Sequence, residues 1–296
     1  MKKKLLLGLL LVGSFSAFAQ QTNDKEKDTA WTTAGNISLL FNQSAFNADW
    51  LGGGTSNVAG NLSVSYDFNY EKGDWTWDNK LLLDYGLTKV KDEEFTKKTN
   101  DRLEYNSLLG KKAKGNWYYS AFLNFKTQMD KGYEYGTDAN GNEIRTEYTH
   151  FLSPGYLQAG IGMLWKKSDN LKVNVAPFTS KFIFVDKDFT SIPGYEDGDY
   201  FGLDANKTMR YEFGASLSGY AKFDIMENVS AENILALYSN YLEDPQNVDI
   251  DYTLNVVMKI NKYLSTNFTF QAIYDDNAIT AFQIREVFGL GIGAKF

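Results

Sequence analysis

Hydrophobic and polar residues alternate along most of this chain. In "NLSVSYDFNY" (61–70), Leu62, Val64, Tyr66, Phe68 and Tyr70 hold every second place, with Asn61, Ser63, Ser65, Asp67 and Asn69 between them. A period of two puts the two sets on opposite faces of a β-strand. After the turn-forming "EKGD" (71–74), "WTWDNKLLLDYG" (75–86) sends Trp75, Trp77, Leu81, Leu83 and Tyr85 one way and Asp78, Lys80 and Asp84 the other, with Asn79 interrupting the apolar face. The same pattern predicts strands at 35–46, 102–111, 117–128, 156–166, 171–185, 208–223, 229–241, 248–260, 264–274 and 279–296, which makes twelve.

The connections alternate as well. One set, at 71–74, 112–116, 167–170, 224–228 and 261–263, is short and rich in Gly, Asn, Asp and Lys, as tight hairpins require. The other set includes 47–57, 89–101, 129–155 and 186–207 and is mostly long, although 242–247 and 275–278 are brief. An even number of antiparallel strands with short periplasmic turns and longer extracellular loops is the plan of an all-β transmembrane barrel.

Alternation alone does not say which face is dry, because a soluble lipocalin-like barrel has the same period with its apolar side chains inside. Three features favour the membrane reading. Twelve strands enclose more space than apolar side chains fill, since about eight is the limit for a packed interior. Aromatics gather beside the short turns (Tyr70, Trp75, Trp77, Trp117, Tyr119, Trp165, Phe223, Tyr263), as in an interfacial girdle. The last strand, "FGLGIGAKF" (288–296), ends on Phe296, the kind of terminal aromatic by which barrel-assembly machinery recognises its substrates.

Composition sharpens the compartment. Lys2, Lys3 and Lys4, the apolar Leu5 to Val12 and the A-x-A site Ala17-Phe18-Ala19 form a secretory signal peptide at 1–19. A polar, disordered lead-in at 20–30 precedes a barrel at 31–296, which predicts residence in the outer membrane of a Gram-negative cell, in contact with its lipid. The chain has no cysteine, hence no disulfide and no lipoprotein anchor. Its formal charge is −7, which disfavours nucleic acid as a partner.

With the apolar face outward, Asp67, Asp78, Lys80, Asp84, Arg102, Glu104, Lys126, Arg210, Glu212, Asp251, Lys259 and Arg285 are expected to face the lumen. Both signs are mixed. That fits a narrow interior braced by ion pairs better than a selective pore, which would carry a ring of one sign. The segment "DWLGGGTSN" (49–57) joins the first two strands on the extracellular side. Gly52, Gly53 and Gly54 permit positive φ, so this loop either folds inward with Trp50 over the mouth, or is a tight turn whose tryptophan anchors at the interface.

The stretch from Asn47 through Trp50, Gly52, Gly53, Ser56 and Asn61, followed by Trp77-Asp78-Asn79 and Tyr85-Gly86, resembles an uncharacterised outer-membrane family of Bacteroidetes, catalogued as a domain of unknown function. The resemblance covers residues 36–90. It implies a barrel and a location, and it brings no activity with it.

Catalysis has little to build on. The one histidine, His150, lies in "EYTHFLSPGY" three residues from both Glu147 and Ser153, so a His–Ser–acid set is conceivable, while a rim residue is the plainer expectation. One histidine without cysteine makes no zinc site, and the acidic stretch 193–204 departs from the calcium-loop spacing, so no metal or cofactor is expected. Two functions stay open. One is a structural, binding or small-solute barrel whose mouth meets a solute or surface glycan; the other is a lipid-modifying hydrolase in the barrel wall. A secreted soluble barrel is the further alternative.

Overall fold

The alternating segments form strands that close on themselves. A computed structural model describes residues 30–47, 55–275, 277 and 279–296; the leader, the lead-in before Ala30, and Trp50, Gly52, Gly53 and Gly54 lie outside the described residues. The strands are β1 (Trp31–Ser44), β2 (Asn57–Lys72), β3 (Trp75–Val90), β4 (Lys97–Lys114), β5 (Trp117–Thr127), β6 (Gly132–Thr137), β7 (Glu143–Thr149), β8 (Gly155–Ser168), β9 (Leu171–Phe184), β10 (Met209–Met226), β11 (Val229–Asn240), β12 (Asp249–Lys259), β13 (Leu264–Asp275) and β14 (Ile279–Lys295). Among the described residues, twelve of them form one antiparallel closed barrel in the order β1-β14-β13-β12-β11-β10-β9-β8-β5-β4-β3-β2. The other two, β6 and β7, pair as a separate hairpin inside the 129–155 segment, which the sequence pattern had presented as a single loop.

The dry face is the outer one. Leu39, Phe41, Ile161, Phe178, Phe223, Ile284 and Ile292 are exposed, whereas Asn174, Thr179, Lys181, Glu212 and Thr253 are buried. This inverts a soluble barrel, so the lipocalin-like alternative falls away. An apolar exterior on a closed antiparallel barrel is the architecture of Gram-negative outer-membrane proteins, in which closure leaves the hydrocarbon no open sheet edge to solvate. The girdle is physical: Trp31 lies 5.2 Å from Tyr70 and 5.6 Å from Trp77, and Trp117 sits directly opposite Trp165 on the neighbouring strand.

Two irregularities have local causes. Between Asp67↔Lys80 and Tyr70↔Trp77 the β2–β3 ladder pairing lapses without a change of register, and there Asn79 takes over. Its backbone N–H donates to Asn69 Oδ1 at 2.8 Å, its side-chain amide donates to the Phe68 carbonyl at 3.1 Å, and Tyr105 donates to its Oδ1 at 2.9 Å. The rings of Phe68 and Tyr105 stack at 6.2 Å, which keeps this polar group off the lipid. The second irregularity is a bulge in β9 between Val175 and Phe178. Pro177 lies inside it, where its missing N–H breaks no ladder bond. Gly162 on the facing strand stands so close to the Val175 carbonyl that any side chain would collide.

At the chain end, the backbones of Gly35 and Phe296 exchange hydrogen bonds, and the Phe296 ring occupies the space a Gly35 side chain would need.

Candidate functional site

The lumen is crossed by charged side chains in three tiers. Nearest the periplasmic turns, Asp78 on β3 accepts from Lys166 on β8 at 3.0 Å and from Lys172 on β9 at 2.6 Å. Beside it, Lys80 on β3 lies 3.7 Å from Asp67 on adjacent β2 and 3.8 Å from Glu232 on β11. β3 and β11 are as far apart as two strands of this barrel can be, so the latter contact spans the lumen. Glu232 is held in place by the Tyr220 hydroxyl at 2.8 Å and by Asn255 at 3.0 Å.

The middle tier is denser. Arg102 Nε donates to Asp84 at 2.8 Å, and its Nη1 reaches Glu104 at 3.4 Å. Glu104 also accepts from Asn106 at 2.8 Å and Asn124 at 3.1 Å. Lys126 on β5 meets Asp251 on β12 at 3.2 Å, another contact across the barrel, and Gln271 secures Asp251 at 2.9 Å. Arg285 on β14 donates to Asn100 on β4.

In the outer tier, buried Glu212 lies between Arg210 at 3.1 Å and Lys181 at 3.2 Å, and Lys181 continues to Asp249 at 2.9 Å. Arg210 extends to Glu243 at 2.7 Å and to the Gly202 carbonyl at 2.8 Å. Lys259 stands apart at the exposed periplasmic end of β12, where its backbone bonds the β10–β11 turn at Asn228. Lys166, Lys172, Lys181, Glu232 and Asp249 were absent from the charges singled out by sequence; strand alternation puts Lys166, Lys172, Glu232 and Asp249 on the lumen face, while Lys181 reaches it only because the bulge between Val175 and Phe178 reverses the alternation along β9.

Above the tiers, the connections 128–154 and 185–208 fold together over the mouth. Tyr200 and Leu203 from the second connection bury against Ile183 and Val185, with Tyr156, Phe189, Tyr195 and Phe201 around them. The Tyr200 hydroxyl donates to the Tyr148 carbonyl at 2.6 Å, and Tyr195 donates to the Leu203 carbonyl at 2.7 Å. Burial under this cap pushes the Tyr200 phenol well above its ordinary value. A short helix, α1 (Lys187–Thr190), starts the second connection and is capped by Asp186, which accepts from the Asp188 amide. The acidic stretch within it spends carboxylates on its own amides: Asp199 accepts from Glu196 N at 2.8 Å and Asp197 from Ala205 N at 2.7 Å. The sequence signal for this packing was the apolar set Tyr195, Tyr200, Phe201 and Leu203 spaced among the acids.

A polar cleft of about 980 Å³ opens beside the cap, lined by Asp197, Asp204, Lys207, Arg210, Tyr211 and Glu243 among others. Arg210 and Glu243 thus belong both to the outer tier and to the cleft wall.

His150 sits at the cap's edge. Its Nδ1 is 2.9 Å from Glu147, its Nε2 is 3.6 Å from Asp186, and its ring packs 5.2 Å from Phe189. The Ser153 hydroxyl is buried and accepts from the Asp186 amide. Lys131, then His150, hold the Glu147 carboxyl below its ordinary range by hydrogen bonding to it.

Residues 41–133 match the family described as Protein of unknown function (DUF3078). That segment runs from the end of β1 through β5 into β6 and includes both partners of the Asp84–Arg102 pair. Solved structures similar to the whole chain include the translocator domain of the autotransporter NalP from Neisseria meningitidis, at 8% identity and a TM-score of 0.41, covering 98% of this chain and 95% of that one. They also include the COG4313 outer membrane channel from Pseudomonas putida F1, at 11% identity and 0.39, covering 93% and 98%. A third is the outer membrane channel DcaP of Acinetobacter baumannii, at 9% identity and 0.31, covering 90% and 96%. The comparison with curated proteins finds no match.

Proposed function

We propose that this protein is a closed outer-membrane barrel that binds a small polar solute, or the polar end of a surface glycan, at its extracellular mouth. The observation that carries the reading is the pair of trans-lumen contacts, Lys80 with Glu232 and Lys126 with Asp251, which put side chains where a permanent pore would need water. The cleft beside the cap supplies a guanidinium, an ammonium, three carboxylates and a phenol for recognition. The engagement of His150 by two carboxylates, with the Ser153 hydroxyl turned to the Asp186 amide, supports a role without catalysis. The resemblance over residues 36–90 supports a Bacteroidetes source, and the exposed Phe296 ring supports delivery by the barrel-assembly machinery after removal of the leader.

Planar-bilayer recording tests the reading. The wild type is expected to show no steady conductance, and the quadruple change Lys80→Ala, Glu232→Ala, Lys126→Ala and Asp251→Ala is expected to open a measurable channel. A large, stable conductance in the wild type would replace the closed barrel with an open pore.

A further inference from the structure

The wall of this barrel is not equally complete all round. β1 pairs with β2 along its whole length, from Trp31↔Tyr70 to Ser44↔Asn57. With β14 it pairs only from Asn36↔Lys295 to Phe41↔Leu290, plus the reciprocal bonds between Gly35 and Phe296. Among the described residues, Asn42, Gln43 and Ser44 therefore have a ladder neighbour on one side only, and so does β14 from Gly289 toward its extracellular end.

The height of this gap matters. Counting from the girdle at Phe296, a tilted strand crosses the hydrocarbon in about 9–11 residues, which ends near outward-facing, exposed Glu286. On β1 the same count from the girdle residue Trp31 ends near Phe41, the last residue paired with β14, so among the described residues the join comes apart at the outer boundary of the hydrocarbon, level with the lipid head groups. Phe282, Ile284 and Phe288 stand exposed along its outer side.

Behind the gap lies Arg285. It points into the lumen, donates to the Asn100 side chain, and keeps a buried Nε with no hydrogen-bond partner. The other arginines and lysines of the three tiers each meet a carboxylate within 4 Å; among the described residues Arg285 meets none. From Arg285 toward the join the lumen face of β14 carries Val287 and Gly289, and within the join Gly291 and Gly293, with Leu40 of β1 set against Gly289 and Gly291.

An unpaired guanidinium behind an opening level with the outer head groups has one fitting ligand chemistry, an acidic head on an apolar chain, because a planar fork of donors matches a carboxylate or phosphate. We propose that the outer part of the β1–β14 join admits one anionic amphiphile, whose head meets Arg285 while its chain stays in the leaflet beside Phe41 and Phe288. This site is separate from the mouth cleft and does not depend on whether the lumen conducts.

Native mass spectrometry of the mature full-length chain in neutral detergent tests it, with oleate, dioleoyl phosphatidylglycerol and dioleoyl phosphatidylcholine as probes. One molecule of oleate or of phosphatidylglycerol should be retained, and phosphatidylcholine should not; whichever acid is retained identifies the source as free fatty acid or phospholipid. Arg285→Gln should cut retention by about tenfold or more, as expected for loss of a charged hydrogen-bond partner, Arg285→Lys should keep part of it, and Lys259→Gln should change nothing. Joining Gln43→Cys to Phe288→Cys with a thiol cross-linker should exclude the amphiphile, whereas the pair Leu39→Cys and Ile292→Cys, in the closed part of the join, should not. Equal retention of phosphatidylcholine, undiminished retention by Arg285→Gln, or uptake surviving the 43–288 cross-link would overturn the proposal. So would particles holding two protein chains and no amphiphile, which would mean a second copy covers the edge.

Discussion

Across the middle of the barrel, closure is made by charges that reach over the lumen, whereas at the extracellular end it is made by apolar side chains packed beneath two loops. Lys126 and Asp251 meet as hydrophilic groups in a polar interior, and each could be solvated where it stands. Tyr200 and Leu203 are removed from water altogether. The two closures differ in energy for that reason. Partly exposed ion pairs contribute from nothing to about 1 kcal/mol, so they position the lumen more than they stabilise it. Burial of apolar surface contributes about 25 cal/mol per Å², so the cap is the part that gains stability from being shut.

The largest effect that would break this contrast belongs to the cap. Leu203→Ala should cost the cap about 2–5 kcal/mol of local stability, the range for deleting a buried leucine side chain. Protease nicking between 185 and 208 should accelerate while the barrel keeps its heat-modifiable migration on gels. Unchanged nicking would show that the apolar cluster adds nothing.

A somewhat smaller effect sharpens the distinction between wall faces. Val64→Arg, on the lipid side, should cost about 2–4 kcal/mol near the midplane, and Ser65→Arg, on the lumen side at almost the same depth, much less. Denaturant titration in lipid vesicles measures both. Equal costs would mean the lumen is as dry as the leaflet.

The smallest expected effect is at the cap's rim. Glu147, hydrogen-bonded by Lys131 and His150 and with Asp186 on the far side of the imidazole, has its carboxyl held below the ordinary value of 4.5. A folded-state value that is depressed gives stability present above the unfolded value and lost as pH falls through the folded one. Hydrogen exchange in the β6–β7 hairpin should therefore speed up modestly on acidification below that range, and Glu147→Gln should remove the pH dependence. An identical acid response in the variant would assign it to other groups.

The wall was legible in the sequence because a single rule, alternation, governs it: a side chain in a strand has two choices, and Val64 and Ser65 declare theirs by chemistry. The same rule identifies most of the charges that share the lumen, and fails at Lys181, which the bulge in β9 turns inward against the period. It does not say that Lys80 reaches Glu232 rather than stopping at Asp67, because that depends on how far opposite walls stand apart, a property of closure and not of any one strand. The cap was illegible for a related reason. Residues 185–208 follow no period, so Tyr200 and Leu203 look like scattered apolar residues among acids until the end of β9 at Ile183 and Tyr156, remote in sequence, are brought beneath them. Asn79 is instructive in the other direction. It reads as a flaw in an apolar face, and it proves to be the residue that replaces missing ladder bonds.

The contact between Lys80 and Glu232 also fixes the shape of the cross-section. Twelve strands spaced about 4.8 Å apart and tilted about 40° would make a circle roughly 24 Å across between backbones. Two extended side chains and the space between them bridge only roughly 15 Å by ordinary bond lengths. The perimeter is set by strand number, so the section must be flattened, and because Lys126 and Asp251 hold β5 and β12 at least as close, the short axis lies between these two pairs, near β4. Its tightest curvature then falls on the two arcs left over, around β8 and β9 on one side and around β14 and β1 on the other. Strands β14 and β8 on these arcs carry glycines in alternate lumen-facing places, Gly289, Gly291 and Gly293 on one and Gly160 and Gly162 on the other. On the concave side of a sharp bend neighbouring side chains converge, and glycine has none to collide. The barrel is thus a flattened tube with two fold lines, and parting its central charges would let it round out by flexing along them.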